Sequence, residues 1–171
     1  MDVNSELELV SEALGGNEGA FMTLVSDCKD TVARVAYFIA CNKDEADDIA
    51  SEAFLKAWTG LRTKKNDIPF RIWVCRIAKN IAIDRYRKRK QKIIEDFSTE
   101  TDISEEVMDV RLALIDLPPE QRLPITMMYF DDMTVSDISK VLQIPPGTVK
   151  SRIHSAKAKM RKRLGDDGQT D

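Results

Sequence analysis

Two blocks of cations and one cluster of carboxylates hold most of the groups in this sequence that could bind or transform a ligand. From Arg71 to Lys92 nine Lys/Arg stand against one acid, Asp84, and from Lys150 to Arg163 seven stand against none. Asp44, Glu45, Asp47 and Asp48 form the carboxylate cluster, within a stretch from Met1 to Phe54 that carries twelve acids and three bases. Carboxylates this close could take a divalent cation. No nucleophile, glycine loop or histidine accompanies them, and the one histidine of the chain is the distant His154. Acids at the start of a helix suit the positive end of its dipole. Capping and surface charge, or a protein-docking face made by Asp48, Glu52 and their neighbours, are the readings that remain. Cys28, Cys41 and Cys75 lie far apart without a CxxC pair, which predicts buried thiols and no disulfide or zinc site. Neither a metal nor a cofactor is expected.

The cationic blocks point elsewhere. A net charge of −3 conceals their segregation, and two basic blocks on an acidic chain fit two contacts with a polyanion and an acidic surface for another partner. The alternative is two solvated helix faces. In the second block Val149, Ile153 and Ala156 recur as one buried stripe, so Lys150, Ser151, His154 and Ser155 share an outward face. Arg152, Lys157, Lys159 and Arg161 can supply phosphate contacts beside it. His154 could read a base or merely be exposed. In the first block Trp73 stands beside cations, the pairing that holding single-stranded nucleic acid requires. Phe70 and Trp73 also have the spacing of core residues, and Asp84 with Lys88 has the spacing of a salt bridge within one helix.

These groups need helices to hold them. Phe21, Leu24, Val25, Cys28, Val32, Val35, Ala36 and Ile39 recur at three- and four-residue steps, the pattern of a helix with one buried face, which Asn42 can end. A second helix carries Ala46, Ile49, Ala50, Ala53, Phe54 and Ala57 and stops near Gly60. After a polar connector from Arg62 to Asp67, Pro69 can open a third helix with Phe70, Trp73, Val74, Ile77 and Ile81 inward and Arg76, Lys79, Asn80 and Arg87 outside. From Gln91 to Asp109 seven acids and scattered Ser/Thr predict a mobile linker. Beyond it Val107, Val110, Leu114 and Leu117 resume the helical pattern, Pro118-Pro119 breaks it, and Leu123, Met127 and Phe130 form another helix, with Pro124 inside it at the cost of a hydrogen bond or a bend. Thr134 and Asp137 resemble a capping pair ahead of a short helix. The break Ile144-Pro145-Pro146-Gly147 and a basic helix from about Thr148 to Leu164, burying Met160 and Leu164 as well, complete a helix-turn-helix pattern.

In order and spacing, these segments resemble the sigma-70 family, in its compact extracytoplasmic-function (ECF) group. Asp44 to Trp58 looks like the segment by which sigma factors grip RNA polymerase. Phe70 to Arg87 is similar to the segment that melts and reads the −10 element. Leu117 to Arg122, Ile138-Ser139 and Gly147 to Ile153 resemble the −35-reading domain. The resemblance implies an all-α chain of two small helical domains, residues 1–92 and 107–171, joined by an acidic linker, 93–106, whose family counterpart enters the channel of nascent RNA. It implies a protein that catalyses no reaction, docks on the clamp helices of the largest polymerase subunit and the flap of the second-largest, binds −10 and −35 promoter DNA, and is held by an anti-sigma protein.

Transferred to this chain, the polymerase contacts are Asp48, Ser51, Glu52 and Lys56. The DNA contacts are Thr148, Lys150, Ser151, Arg152, His154, Ser155 and Lys157 in the second domain, and Arg76, Asn80, Arg87 and Lys88 in the first. Lys64, Lys65 and Asn66 of the connector, a variable segment in the family, are expected to shape a pocket for a flipped base. Ser155 stands where the family often has Arg, and Pro146 is less usual in the turn. No apolar stretch approaches the length of a membrane span, and the N-terminal residues are acidic, so a cytoplasmic protein is expected. Two rivals are a helix-turn-helix regulator acting without polymerase, which would need a ligand or receiver domain before the linker, and a carboxylate-metal nuclease, which lacks the rest of a catalytic constellation.

Overall fold

The computed structural model describes residues 2–65, 67–90 and 105–166, and all of its regular structure is helical. One unit holds α1 (Val3–Leu14), α2 (Glu18–Ala40), α3 (Lys43–Gly60) and α4 (Phe70–Lys90). A second is built around α5 (Glu105–Ile115), α6 (Pro119–Phe130) and α8 (Pro146–Asp166); the short α7 (Val135–Leu142), which leads into α8, starts in this unit, and its last three residues group with the first. A single 3-10 turn, Leu61–Thr63, follows α3. Asn66 lies outside the described residues, as does most of the expected acidic linker and with it the expectation of mobility. The last two residues of that linker, Glu105 and Glu106, instead open α5.

Helix boundaries in the first unit have local causes. The Asp2 carboxylate accepts from the amides of Asn4 and Ser5, both at 3.0 Å, and caps α1, a helix the sequence reading left unassigned. Asn17 caps α2 by accepting from the Ala20 amide. Cys41, in the left-handed region at φ 55°, ends α2, so Asn42 opens α3 by accepting from the Glu45 amide at 2.9 Å. These side-chain oxygens satisfy amides that a helix start leaves without partners.

In the first unit α2 is the central element: it packs on α1, α3 and α4, and α3 and α4 also pack on each other. Ile72, Trp73, Val74 and Cys75 are consecutive and all buried, so the start of α4 has no solvent face. Phe21 stands edge-on to Trp58 and Phe70, with ring centroids 4.9 and 5.8 Å apart, and Trp73 lies 6.1 Å from Phe70. At 6 % exposure Trp73 is core. That corrects the reading of its ring as a stacking surface for an opened strand. Lys79, expected outside, is buried on the same helix, while Ile77, expected inward, is half-buried.

In the second unit Pro119 occupies the first position of α6, where its missing amide costs nothing. The helix runs on through Pro124, which is buried. The neighbouring Thr126 hydroxyl bonds to the carbonyls of Arg122 and Leu123, both at 3.0 Å. Buried Arg122 donates through Nε and Nη2 to the Leu117 carbonyl at 3.2 and 2.9 Å, tying the start of α6 to the chain leaving α5. Val110, Phe130 and Leu164, expected to face inward, are exposed. With Leu114, Tyr129 and Met160 they border an apolar groove of ≈ 600 Å³ on α5, α6 and α8.

Candidate nucleic-acid and protein-docking faces

Rotation of α8 decides which of its polar residues face outward. Val149 and Ala156 are fully buried and Ile153 is 6 % exposed. At 100° per residue this leaves Lys150, Ser151 and His154 exposed on the opposite side, with Thr148, Arg152 and Ser155 half-buried at its margins. The Ser151 hydroxyl bonds back to the Thr148 carbonyl at 3.0 Å, and can turn outward only by giving up that bond. Lys157 is half-buried, and its ammonium sits 5.1 Å from the centre of the Tyr129 ring on α6, in cation–π geometry.

The approach to α8 is fixed at both ends of α7. Thr134 and Asp137 form a reciprocal capping box. Gln143, left-handed at φ 58°, ends α7. The Ser139 hydroxyl donates to the Ile144 carbonyl at 2.6 Å and the Ile144 amide donates back to the Ser139 carbonyl at 3.3 Å. The Val149 amide bonds to the Pro145 carbonyl, so Pro146 takes the first helical position, where proline is favoured. The less usual Pro146 thus starts the helix two residues before the expected Thr148. At the other end Arg163 pairs with Asp116, joining α8 to the chain leaving α5.

In the first unit Asp48 and Ser51 are exposed on α3. Glu52 between them and Lys56 is engaged within the fold: its carboxylate meets Arg85 of α4 at 2.6 Å and Lys56 at 2.8 Å. The ammonium of Lys56 and the guanidinium of Arg85 hold the Glu52 carboxyl below the usual carboxylate range. Beside this patch a cleft of ≈ 380 Å³ runs between α2 and α3, bordered by Lys29, Asp30, Asp47, Ser51 and Phe54. Phe54, expected in the buried stripe, is half-exposed there.

On α4, Asn80, Arg87 and Lys88 are exposed and Arg76 is half-buried. Burial, and then the charge of Arg76, push the Lys79 ammonium down. Ahead of α4 the connector residue Lys65 is exposed, but Lys64 is not available to a ligand. Its side chain is 1 % exposed and its ammonium lies 3.7 Å from Glu6 of α1. The same Glu6 oxygen accepts the Phe70 amide at 2.7 Å. Reading Lys64 as a DNA contact is therefore corrected: a cation by type, it is consumed by a buried pair. Sequence reasoning missed Glu6 because it missed α1. The cap Asp2 and the spacing of Val3, Leu7, Val10 and Leu14 were the signals available. Among the described residues no group of His, Cys, Asp and Glu could hold a metal ion, and no helix is long and apolar enough to cross a membrane.

The chain is similar in sequence and in fold to known proteins. Residues 24–92 match the family description "Sigma-70 region 2", and residues 108–160 match "Sigma-70, region 4". The chain is 31% identical over 178 aligned residues to the "ECF RNA polymerase sigma factor SigW" of Bacillus subtilis, covering 92% of this chain and 95% of that one. It is 29% identical to the "ECF RNA polymerase sigma factor SigM" of Mycobacterium tuberculosis, covering 94% and 85%. Among solved structures it is similar to CnrH, determined in complex with the cytosolic domain of CnrY, at a TM-score of 0.76 and 26% identity over 95% of this chain and 99% of that one. The sigma factor RpoE of Bartonella quintana, solved with the anti-sigma factor NepR, has the same TM-score at 21% identity, covering 85% and 96%, a likeness of fold alone.

Proposed function

The chain belongs to the ECF sigma factors of RNA polymerase, and from that premise we propose how its residues divide the work. As a sigma factor it directs RNA polymerase to promoters and supports initiation, the role of a regulatory subunit; on our reading it catalyses no reaction of its own. The match to region 2 over residues 24–92 disfavours a helix-turn-helix regulator that acts without polymerase.

The observation that carries the proposal is α8: a rotation fixed by Val149, Ile153 and Ala156 with Lys150, Ser151 and His154 outward. We assign α8 to the −35 major groove, where a helix fits and base edges differ in their donors and acceptors. Lys150 suits guanine O6 or N7, and Arg152 and Thr148 at the margin suit phosphates, which position without reading sequence. Lys157 serves this interface indirectly, by holding α8 on Tyr129.

The −10 element falls to the first domain, residues 1–92, through Asn80, Arg76, Arg87 and Lys88 of α4 and Lys65 of the connector. With Trp73 in the core, its cations and polar groups, not that ring, do this work. Asp48 and Ser51 on α3, with Lys56 and the braced Glu52 behind them, form the face for the clamp helices of the largest subunit. In the second domain, residues 107–171 extended by the two residues that open α5, the apolar groove fits an amphipathic segment such as the flap of the second-largest subunit. CnrH was solved bound to the cytosolic domain of CnrY, and a protein inhibitor covering these faces is expected here too. Such a protein works where polymerase and promoter are, in the cytoplasm.

Runoff transcription with core polymerase, with and without the chain, tests the proposal. Promoter-specific transcripts that need the chain are expected. Promoter DNA binding by the chain alone with no gain in specific transcripts would favour the regulator.

A further inference from the structure

We propose that Glu6, on the helix that precedes the matched region 2, is the positioning residue that sets the −10 preference by clamping both feet of the connector. The inference rests on the assignment of that connector to the −10 pocket.

A helix start leaves amides without partners, and a side-chain oxygen from the residue before the helix usually fills that need. Before α4 that residue is Pro69, which has no side-chain oxygen to offer. The cap comes instead from 64 residues upstream: Glu6 Oε1 accepts the Phe70 amide at 2.7 Å. The same oxygen lies 3.7 Å from the Lys64 ammonium, which also reaches the Lys65 carbonyl at 3.4 Å. Lys64 and Phe70 are the two ends of the connector between the 3-10 turn and α4. One carboxylate oxygen therefore fixes where the loop leaves the core and where it returns, while Lys65 and Asp67 between them are exposed.

The surroundings make this an organising contact. The Lys64 side chain is almost fully buried and Glu6 is 16 % exposed, so water competes weakly for either. A buried ammonium left without its carboxylate must move or lose its charge, and Lys64 can move only by reshaping the loop that carries it. Packing of α1 on α2 and on the 3-10 turn, with Val10 and Ala13 buried, fixes where Glu6 stands. Residues 1–23, which lie outside the region 2 match, thereby gain a part in promoter choice.

The test compares holoenzymes made with the full chain and Glu6→Ala, Glu6→Gln or Lys64→Met, on promoter libraries randomised at −10 and, separately, at −35. Glu6→Ala is expected to change the relative use of the best −10 sequences by about fivefold, the effect of losing one helix cap, with the −35 ranking intact. Glu6→Gln, which keeps an acceptor for the Phe70 amide but leaves Lys64 without its carboxylate, should fall between the parent and Glu6→Ala in −10 ranking. A merely structural role would lower output from all promoters in step with the folded fraction, and that result overturns the proposal. Should Glu6→Ala fail to fold, Lys64→Met decides: an altered −10 ranking supports the clamp and an unaltered one overturns it. Lys65→Ala with Asp67→Ala separates the two layers. If that double substitution moves the −10 ranking and a folded Glu6→Ala does not, the clamp fails alone. If neither moves it, the assignment of the connector fails and takes the clamp with it.

Discussion

Lys150 and Arg152 sit two residues apart on one helix and differ in what they can touch. Lys150 is exposed at the centre of the outward face and Arg152 is half-buried at its margin. Lys150→Ala should relax selection at one −35 position by about 1–3 kcal/mol. Arg152→Ala should weaken all sites alike and flatten the salt dependence, because one counterion-releasing contact is gone. A binding selection on randomised −35 sequences checks both, and a motif altered by Arg152→Ala alone means that α8 is rotated from this assignment. Glu52 makes a different residue-scale statement. Its carboxyl is held low by Lys56 and Arg85, so the stability it adds is present above the ordinary carboxylate pKa and is lost as pH falls through the depressed one. Glu52→Gln should cost no more than about 1 kcal/mol at neutral pH, since the carboxylate is a third exposed. The gap between variant and parent in urea midpoint should close as pH falls through the depressed carboxyl pKa.

At the scale of elements, periodicity and capping chemistry carried the sequence reading far. Helices with one buried face, such as α2 and α8, were legible because their apolar residues recur at three and four. The Thr134–Asp137 pair was legible because a capping box is local, and it formed. Thr134→Ala should therefore lower stability by about 1 kcal/mol and weaken −35 binding, because α7 sets the entry into α8. Melting and DNA titration of the same variant would check this; full stability with intact binding would show that Pro145 and Pro146 hold the turn alone. What the sequence could not reveal lay where tertiary burial overrides local pattern. The start of α4 is buried all round, so no period separates the stripe of Trp73 from the side of Lys79. Lys64 was misread because its partner, Glu6, is far away in sequence. The apolar residues Val110, Phe130 and Leu164 have helical spacing, yet they stay exposed among the described residues.

At the scale of the whole molecule, charge is sorted by task. The N-terminal 54 residues carry twelve acids against three bases, and the cations gather in α4 and α8. An acidic docking surface steers a basic partner and repels DNA, while the basic helices do the reverse, so one chain can meet protein and polyanion without confusing them. This sorting yields a prediction about assembly. Asp48 is the informative residue, because it is exposed, whereas a change at neighbouring Glu52 also removes its pairing with Arg85 between α3 and α4. Asp48→Lys should leave the helical signal and melting midpoint of the free chain nearly unchanged, as surface substitutions usually do within about 0.5 kcal/mol. Binding to core polymerase should weaken, first through slower association, since a charge reversed at an interface rim acts mainly on the on-rate. Raising salt should narrow the difference between parent and variant, because screening removes the steering from both. DNA binding by α8 should not change, since Asp48 belongs to the other unit. Association rates across a salt series, with core polymerase immobilised, read all of this in one experiment. An unchanged rate at low salt would remove Asp48 from the polymerase face and shift the search to the cleft beside it, between α2 and α3.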